Sequence, residues 1–174
     1  SGRVAHAFLF SGSRGVGKTS AARILTRALN CLNLENGDPC NTCENCTEIN
    51  QNASPDVYEI DAASNRGIDN IRELRENVNY VPARCRYKVY IIDEAHMLTI
   101  ESFNALLKTL EEPPSHAKFI FATTDPYKIP PTIISRCQRY DFLRIPIKIM
   151  TDFLETVVEK ENLEITRQGL EMIA

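Results

Sequence analysis

Three groups of residues have the types and spacing to do chemistry. The first is Gly12-Ser13-Arg14-Gly15-Val16-Gly17-Lys18-Thr19, followed by Ser20. It fits G-x-x-x-x-G-K-[ST] at every defined position, a loop that holds phosphates. Its glycines let backbone N–H groups turn inward around phosphate oxygens. The helix N-terminus behind them adds its positive dipole end. In such a loop Lys18 reaches the β- and γ-phosphates and the Thr19 hydroxyl ligates Mg²⁺. The run Gly12 through Ser20 is therefore expected to bind ATP. The plain alternative is a glycine-rich turn with a chance lysine. An apolar strand before the loop and a helix after it argue against that alternative.

The second group is Asp93-Glu94, directly after the apolar run Val89-Tyr90-Ile91-Ile92. Carboxylates at a strand's carboxyl end sit where open α/β sheets bind ligands. Asp93 is expected to hold Mg²⁺ through water and Glu94 to polarise the attacking water. A solvated loop is the plain alternative, and the phosphate loop upstream in the same chain weighs against it. Asp93-Glu94-Ala95-His96 also spells a short box found in some helicases. No other helicase motif accompanies it, so His96 reads as a local packing residue.

The third group is Cys31, Cys40, Cys43 and Cys46, spaced C-x8-C-x2-C-x2-C. Two tight C-x2-C turns and a remote thiolate can make a tetrahedral Cys₄ site. An iron–sulfur cluster is the rival, because C-x2-C-x2-C also occurs in ferredoxins. The next ferredoxin-type position, Asn50, is not cysteine and no proline follows it. Zn²⁺ is preferred, in a structural role, since four thiolates leave no open coordination position. Cys85 and Cys137 have no partner at ligand spacing and read as small hydrophobes or solvent-facing thiols.

Alternating strands and helices must position these groups. Ala7-Phe8-Leu9-Phe10, Val57-Tyr58-Glu59-Ile60, Val89-Tyr90-Ile91-Ile92 and Phe119-Ile120-Phe121-Ala122 read as strands. Helices are expected from Lys18 to Leu29, with Ile24, Leu25, Ala28 and Leu29 on the apolar face, and at Ile68, Ile71, Leu74 and Val78. Phe103, Leu106, Leu107 and Leu110 form another helical face. Asn30 to Cys46 is expected to be irregular. Pro130-Pro131 starts a short helix, and Arg139-Tyr140-Asp141-Phe142 is expected at a sheet edge. The alternation predicts an α/β fold: a parallel sheet flanked by helices, with right-handed crossovers. From Lys148 the pattern is purely helical. One domain is expected over 1–145, with a zinc-binding insertion at 31–46. The beginning of a helical domain is expected over 146–174, incomplete at Ala174.

The 174 residues, 43% hydrophobic and 25% charged, describe an ordinary soluble globular chain. The net charge of −3 gives no bulk argument for nucleic acid, and a local basic face remains compatible with it. No apolar run approaches the roughly 20 residues that span a bilayer, and the N-terminus lacks the pattern of a signal peptide. A cytoplasmic protein without membrane contact is expected, its six cysteines serving metal or packing.

Taken in order, the phosphate loop, the Cys₄ insertion, Asp93-Glu94, Thr123-Thr124-Asp125-Pro126 and Ser135-Arg136-Cys137 resemble the bacterial DNA polymerase III gamma/tau subunit family. Phe103 to Pro114 and Glu59-Ile60-Asp61-Ala62-Ala63-Ser64 extend the likeness to essentially the whole chain. The resemblance implies an AAA+ P-loop ATPase in a clamp loader, which opens a ring-shaped sliding clamp and places it on primed-template DNA. It implies partners: the other subunits of a hetero-oligomeric ring, the clamp, and DNA through the assembled complex. Thr124 falls at the first sensor position. Arg136 falls on an arginine finger that acts in trans on a neighbour's ATP, for which a planar cation suits transferring phosphoryl charge.

A second sensor arginine is expected beyond Ala174, and an adenine-holding segment before Ser1. Membership of a polymerase holoenzyme would bring the DNA-directed DNA polymerase class with it, although no polymerase active site is read here. Arg66, Arg72, Lys108 and Thr132 are candidates for phosphate contacts with DNA, against a plain solvated face for each. Two other readings compete. A nucleotide-blind scaffold subunit is opposed by Lys18-Thr19 and Asp93-Glu94. A AAA+ helicase acting on branched DNA does not fit the Cys₄ insertion.

Overall fold

The computed structural model describes residues 4–64 and 68–173, with the backbone alone at 68–70. Arg66, one of the candidate DNA contacts, lies outside the described residues. Five strands form one all-parallel sheet: β1 (Ala7–Gly12), β2 (Val57–Asp61), β3 (Lys88–Asp93), β4 (Ala117–Thr123) and β5 (Gln138–Phe142). Their order across the sheet is β2-β3-β4-β1-β5. The expected edge strand, β5, is at one edge and largely exposed.

β1, β3 and β4 are buried on both faces, which is why they read as unbroken apolar runs. Their side chains alternate between two cores. Leu9, Tyr90, Ile92, Phe119 and Phe121 face one way, against α3 (Ile68–Val78) and α4 (Ile100–Glu111) through Ile71, Leu74, Val78, Phe103, Leu106 and Leu110. Phe8, Phe10, Val89, Ile91 and Ile120 face the other way, toward α1 (Lys18–Asn30) through Ala22 and Leu25. Each fully buried side chain of this size stabilises by roughly 1.5–3 kcal/mol. Thr99 caps α4, its hydroxyl accepting from Ser102 N at 3.2 Å.

Two expectations about α1 and its sequel fail. Ile24 is 47% exposed, and the buried column of the helix is Lys18, Ala22, Thr26 and Asn30. Polar residues occupy that column because their groups find backbone partners: Thr26 Oγ1 donates to the Ala22 carbonyl at 2.8 Å, and Asn30 Oδ1 accepts from the distant Tyr87 N at 2.9 Å. The insertion is also not irregular through Cys46. α2 (Glu44–Asn50) begins inside it, with Cys43 at its N-cap. Before α2, Asn36 and Gly37 both take positive φ (52° and 99°) between the bridged residues Glu35 and Asp38. That is the two-residue turn Asn-Gly favours.

The chain divides into two compact units, Ser1–Phe142 and Leu143–Ala174. The first contains the sheet and also α5 (Pro131–Ile134). The second contains α6 (Ile147–Glu161) and α7 (Arg167–Ile173). α6 stops at Asn162, which takes the left-handed conformation (φ 53°). Arg167 ties the two helices by bonds to Glu155 and Asp152 at 3.0 and 3.2 Å. No helix among the described residues is long and apolar enough to cross a membrane.

Candidate active site and metal centre

The carboxyl ends of β1, β4 and β3 lie side by side and carry the reactive groups. β1 ends at Gly12, where a side chain would collide with the Phe142 carbonyl on β5. Only glycine lets the loop leave the sheet there. Gly17, at φ 90°, then turns the chain into α1 without a side-chain cap. Lys18 opens that helix, 94% buried, and its Nζ donates to the carbonyls of Gly12 and Ser13 at 2.9 and 2.8 Å. An ammonium group buried against two carbonyls of its own loop is placed to exchange them for phosphate oxygens.

A cavity of about 400 Å³ opens here, lined by Arg14, Gly15, Gly17, Lys18, Thr19, Ser20, Asp93 and Glu94. A larger groove of 570 Å³ runs beside it along β2, shares Asp93 and includes the Arg23–Glu59 pair. Size does not decide between them: the smaller cavity holds the glycine loop and the lysine.

Thr19 Oγ1 donates to Asp93 Oδ2 at 2.7 Å, and Asp93 Oδ1 accepts from Glu94 N at 2.8 Å. These oxygens and the cavity fit a small hard cation that takes oxygen ligands, the donor set of Mg²⁺. Glu94 has φ 45° and ψ 45°, a left-handed conformation uncommon for any residue but glycine. Such backbone strain clusters at working sites. Its Oε2 accepts from Thr124 Oγ1 at 3.1 Å, so the threonine just past β4 holds the carboxylate beyond β3. Two neighbours have no site role in the sequence reading: His96 reads as a local packing residue, and Thr123 stands only within Thr123-Thr124-Asp125-Pro126. His96 Nδ1 is 3.1 Å from Thr123 Oγ1 and 3.4 Å from Glu94 Oε2. The sequence signal for His96 is the Asp93-Glu94-Ala95-His96 spacing; that for Thr123 is its place beside Thr124.

The phosphate loop, Asp93, Glu94 and Thr124 thus come together. Arg136 does not join them. Its Nη1 donates to the Thr132 carbonyl at 2.6 Å and its Nη2 to Glu111 Oε1 at 2.6 Å. Lys108 and Arg75 line a separate groove of 460 Å³ between the ends of α3 and α4. Thr132 is in the first turn of α5, a helix of only four residues.

The Sγ atoms of Cys31, Cys40, Cys43 and Cys46 all lie within 4.8 Å of one another, and none is in a disulfide. Tetrahedral zinc at about 2.3 Å from each sulfur needs sulfurs roughly 3.8 Å apart, so the set fits with small adjustments. Cys40 N donates to Cys31 Sγ and Cys43 N to Cys40 Sγ, both at 3.3 Å. The N–H groups of Thr42 and Cys43 pull the Cys40 thiol down to about 6. Burial pushes Cys46 up to about 12. A metal offsets that burial cost by replacing the proton. Arg27 Nη1 anchors the knob, donating to Asn41 and Asn50 at 2.8 and 2.7 Å.

Residues 1–146 match the model of the family described as DNA polymerase III, delta subunit. The chain belongs to that family. Among polymerase III subunits, it is 54% identical over 172 residues to subunit tau of Bacillus subtilis, covering 99% of this chain and 31% of that protein. With subunit tau of Escherichia coli the identity is 50% over 173 residues, covering 99% and 27%. The family description says delta, while these half-identical polymerase III relatives are tau subunits, in line with the gamma/tau motifs. The chain spans less than a third of the length of these relatives.

Among solved structures, a polymerase III gamma subunit-related protein from Thermotoga maritima superposes with TM-score 0.59 at 25% identity, covering 90% of this chain and 48% of that one. The Thermotoga maritima RuvB Holliday junction branch migration motor gives TM-score 0.63 at 17% identity, covering 98% and 48%. At that identity it speaks for the fold alone, which is AAA+ in this polymerase III family member.

Proposed function

We propose that this chain is the ATP-binding and ATP-hydrolysing part of a bacterial DNA polymerase III clamp loader, which loads the sliding clamp onto primed DNA. The observation that carries the reading is the Thr19–Asp93 bond at 2.7 Å beside a Glu94 carboxylate aimed by a left-handed backbone. Phosphate loop, acidic strand end and polar sensor position meet there, as ATP hydrolysis requires.

Each side chain has a role in this reading. Backbone N–H groups from Ser13 to Gly17 and the start of α1 cradle the phosphates. Lys18 releases the Gly12 and Ser13 carbonyls and pairs with the β- and γ-phosphates. Thr19 and Asp93 hold Mg²⁺, which when bound neutralises phosphate charge and orients the γ-phosphate. Glu94 takes up a proton from the attacking water while Thr124 fixes the carboxylate. Arg136 acts on ATP of a neighbouring subunit, since its bonds to Thr132 and Glu111 involve no phosphate-loop residue. Zn²⁺ on the four cysteines is structural.

Other clamp-loader subunits, the clamp and primed-template DNA are the proposed partners, and the cytoplasm the proposed location. Lys108, beside Arg75, is a candidate for backbone phosphate contact, and Arg72 and Thr132 stay on that list. The chemistry proposed is ATP hydrolysis, with any polymerase class arising from the holoenzyme. The test is the ATPase of the assembled complex with clamp and primed DNA. Glu94→Gln should lower turnover by about 10²-fold or more while ATP still binds. Undiminished turnover would sink the proposal.

A further inference from the structure

Glu94 has two carboxylate oxygens, and the described neighbours treat them differently. Thr124 Oγ1 donates to Oε2 at 3.1 Å, and His96 Nδ1 stands 3.4 Å from the same Oε2. No described residue bonds Oε1. His96 belongs to a one-turn 3-10 helix, Ala95–Met97, entered through the left-handed Glu94. Its side chain is 12% exposed, so it is packed against the site and not dissolved in solvent.

The neighbours of Nδ1 are best met by the tautomer that carries its proton there: an ionised Glu94 only accepts, 3.4 Å away. Thr123 Oγ1 accepts from Asp125 N at 3.0 Å and has a second lone pair for the same Nδ1–H, at 3.1 Å. Nδ1 thus sits within hydrogen-bond distance of the Thr123 hydroxyl and 3.4 Å from the Glu94 carboxylate, close enough for an electrostatic contact. Two bridges then join the ends of β3 and β4: Glu94 to Thr124, and His96 to Thr123.

We propose that His96 is a positioning residue for hydrolysis: with Thr124 it clamps Oε2 of Glu94 and leaves Oε1 to accept the proton of the attacking water. The proposal rests on the hydrolytic role of Glu94 given above. Its logic is geometric. A carboxylate bonded at Oε2 by the Thr124 hydroxyl and flanked there at 3.4 Å by the His96 ring is restrained from swinging out of line, and a 1 Å misplacement at a reacting centre costs on the order of 10²-fold in rate. The histidine acts through Glu94 and need not touch nucleotide, so its loss should appear in kcat rather than in KM.

The contact through Nδ1 gives a discriminating pair of substitutions. The amide nitrogen of asparagine falls near the Nδ1 position, whereas leucine fills the space with no donor. The full-length protein, assembled in its complex, is assayed for ATP turnover in the presence of clamp and primed DNA. His96→Leu should lower kcat by about 10-fold or more with KM for ATP within about twofold, and His96→Asn should stay within about threefold of wild type. Wild-type kcat in His96→Leu overturns the proposal. So do equal losses in both variants, or a fall in kcat that tracks a raised KM and a lowered melting temperature, since these mark packing alone. Glu94→Gln is run in parallel. If that variant hydrolyses ATP normally, the role of Glu94 itself is wrong, a failure distinct from any result at His96.

Discussion

Thr19 Oγ1 and Asp93 Oδ2 lie 2.7 Å apart across 74 residues of sequence, joining the helix behind the phosphate loop to the end of β3. The bond sets the Thr19 hydroxyl where it would ligate Mg²⁺ and the Asp93 carboxylate where it would hold the same ion through water. Thr19→Ala should weaken the apparent Mg²⁺ affinity of the nucleotide complex by on the order of 10-fold or more, the scale seen even for outer-shell partners. Thr19→Ser should keep it. Titrating Mg²⁺ against bound fluorescent ATP analogue measures both, and identical curves for wild type and the alanine variant would remove Thr19 from the site.

Lys18 is satisfied without ligand by two carbonyls of its own loop. Nucleotide must displace those bonds, so the net gain is the difference between phosphate and carbonyl partners. Bonds to charged groups contribute about 1.5–3 kcal/mol, which makes a loss of roughly 10-fold or more in ATP affinity the expectation for Lys18→Ala. Isothermal titration reads it directly. Equal affinity in the variant would contradict the assignment.

One zinc per chain is expected from elemental analysis after dialysis. The cluster runs from the end of α1 into the first turn of α2, away from the glycine loop in sequence. Chelation should lower the melting temperature of the protein while leaving the ATP dissociation constant within about twofold, because metal binding energy at such sites is folding energy. Iron in place of zinc would reverse the choice of metal. Collapse of ATP binding on chelation would show that the knob supports the loop.

Arg136 is tied to Glu111 at 2.6 Å, with 31% and 50% of the two side chains exposed. Ion pairs this open to solvent contribute about 0–1 kcal/mol, so the guanidinium can leave Glu111 for a neighbour's phosphates at little cost. Arg136→Ala should reduce turnover of the assembled complex by about 10³-fold, the lower range for an arginine finger, while the variant subunit binds ATP normally. A variant complex with full turnover would place the finger elsewhere.

The features legible in the sequence are those written in consecutive or regularly spaced residues. β1, β3 and β4 carry central apolar runs because both faces are covered, and the phosphate loop and cysteine cluster carry their chemistry in their spacing. Illegible features depend on residues far apart. Nothing near Glu94 announces its left-handed backbone or its bond to Thr124, thirty positions on. Ile24 misled because α1 buries Thr26 and Asn30 instead, and buried polar residues bonded to backbone look solvent-facing to a pattern reading. The helix containing Cys46 was hidden by the glycine, proline and asparagine just before it.

Asp56 carries the last prediction. It is 1% exposed and accepts backbone N–H bonds from Ala83, Arg84 and Cys85 at 2.7–2.8 Å, pinning the loop that leads into β3. Burial pushes its carboxyl up, but the three N–H groups, with Lys88 nearby, outweigh burial and hold it below the usual range. Asp56→Ala leaves three donors without their acceptor, and each buried unsatisfied group costs about 1–3 kcal/mol, so a loss of about 3 kcal/mol or more in unfolding free energy is expected. The pH dependence follows from the depressed value. The contribution of Asp56 is fully present above the unfolded carboxyl value of about 3.9 and is lost as pH falls through the lower folded value. Urea denaturation of wild type and variant should therefore give curves far apart at neutral pH that converge in acid. A gap that stays constant down through that acid window would show that the ionised carboxylate is not what the three N–H groups hold.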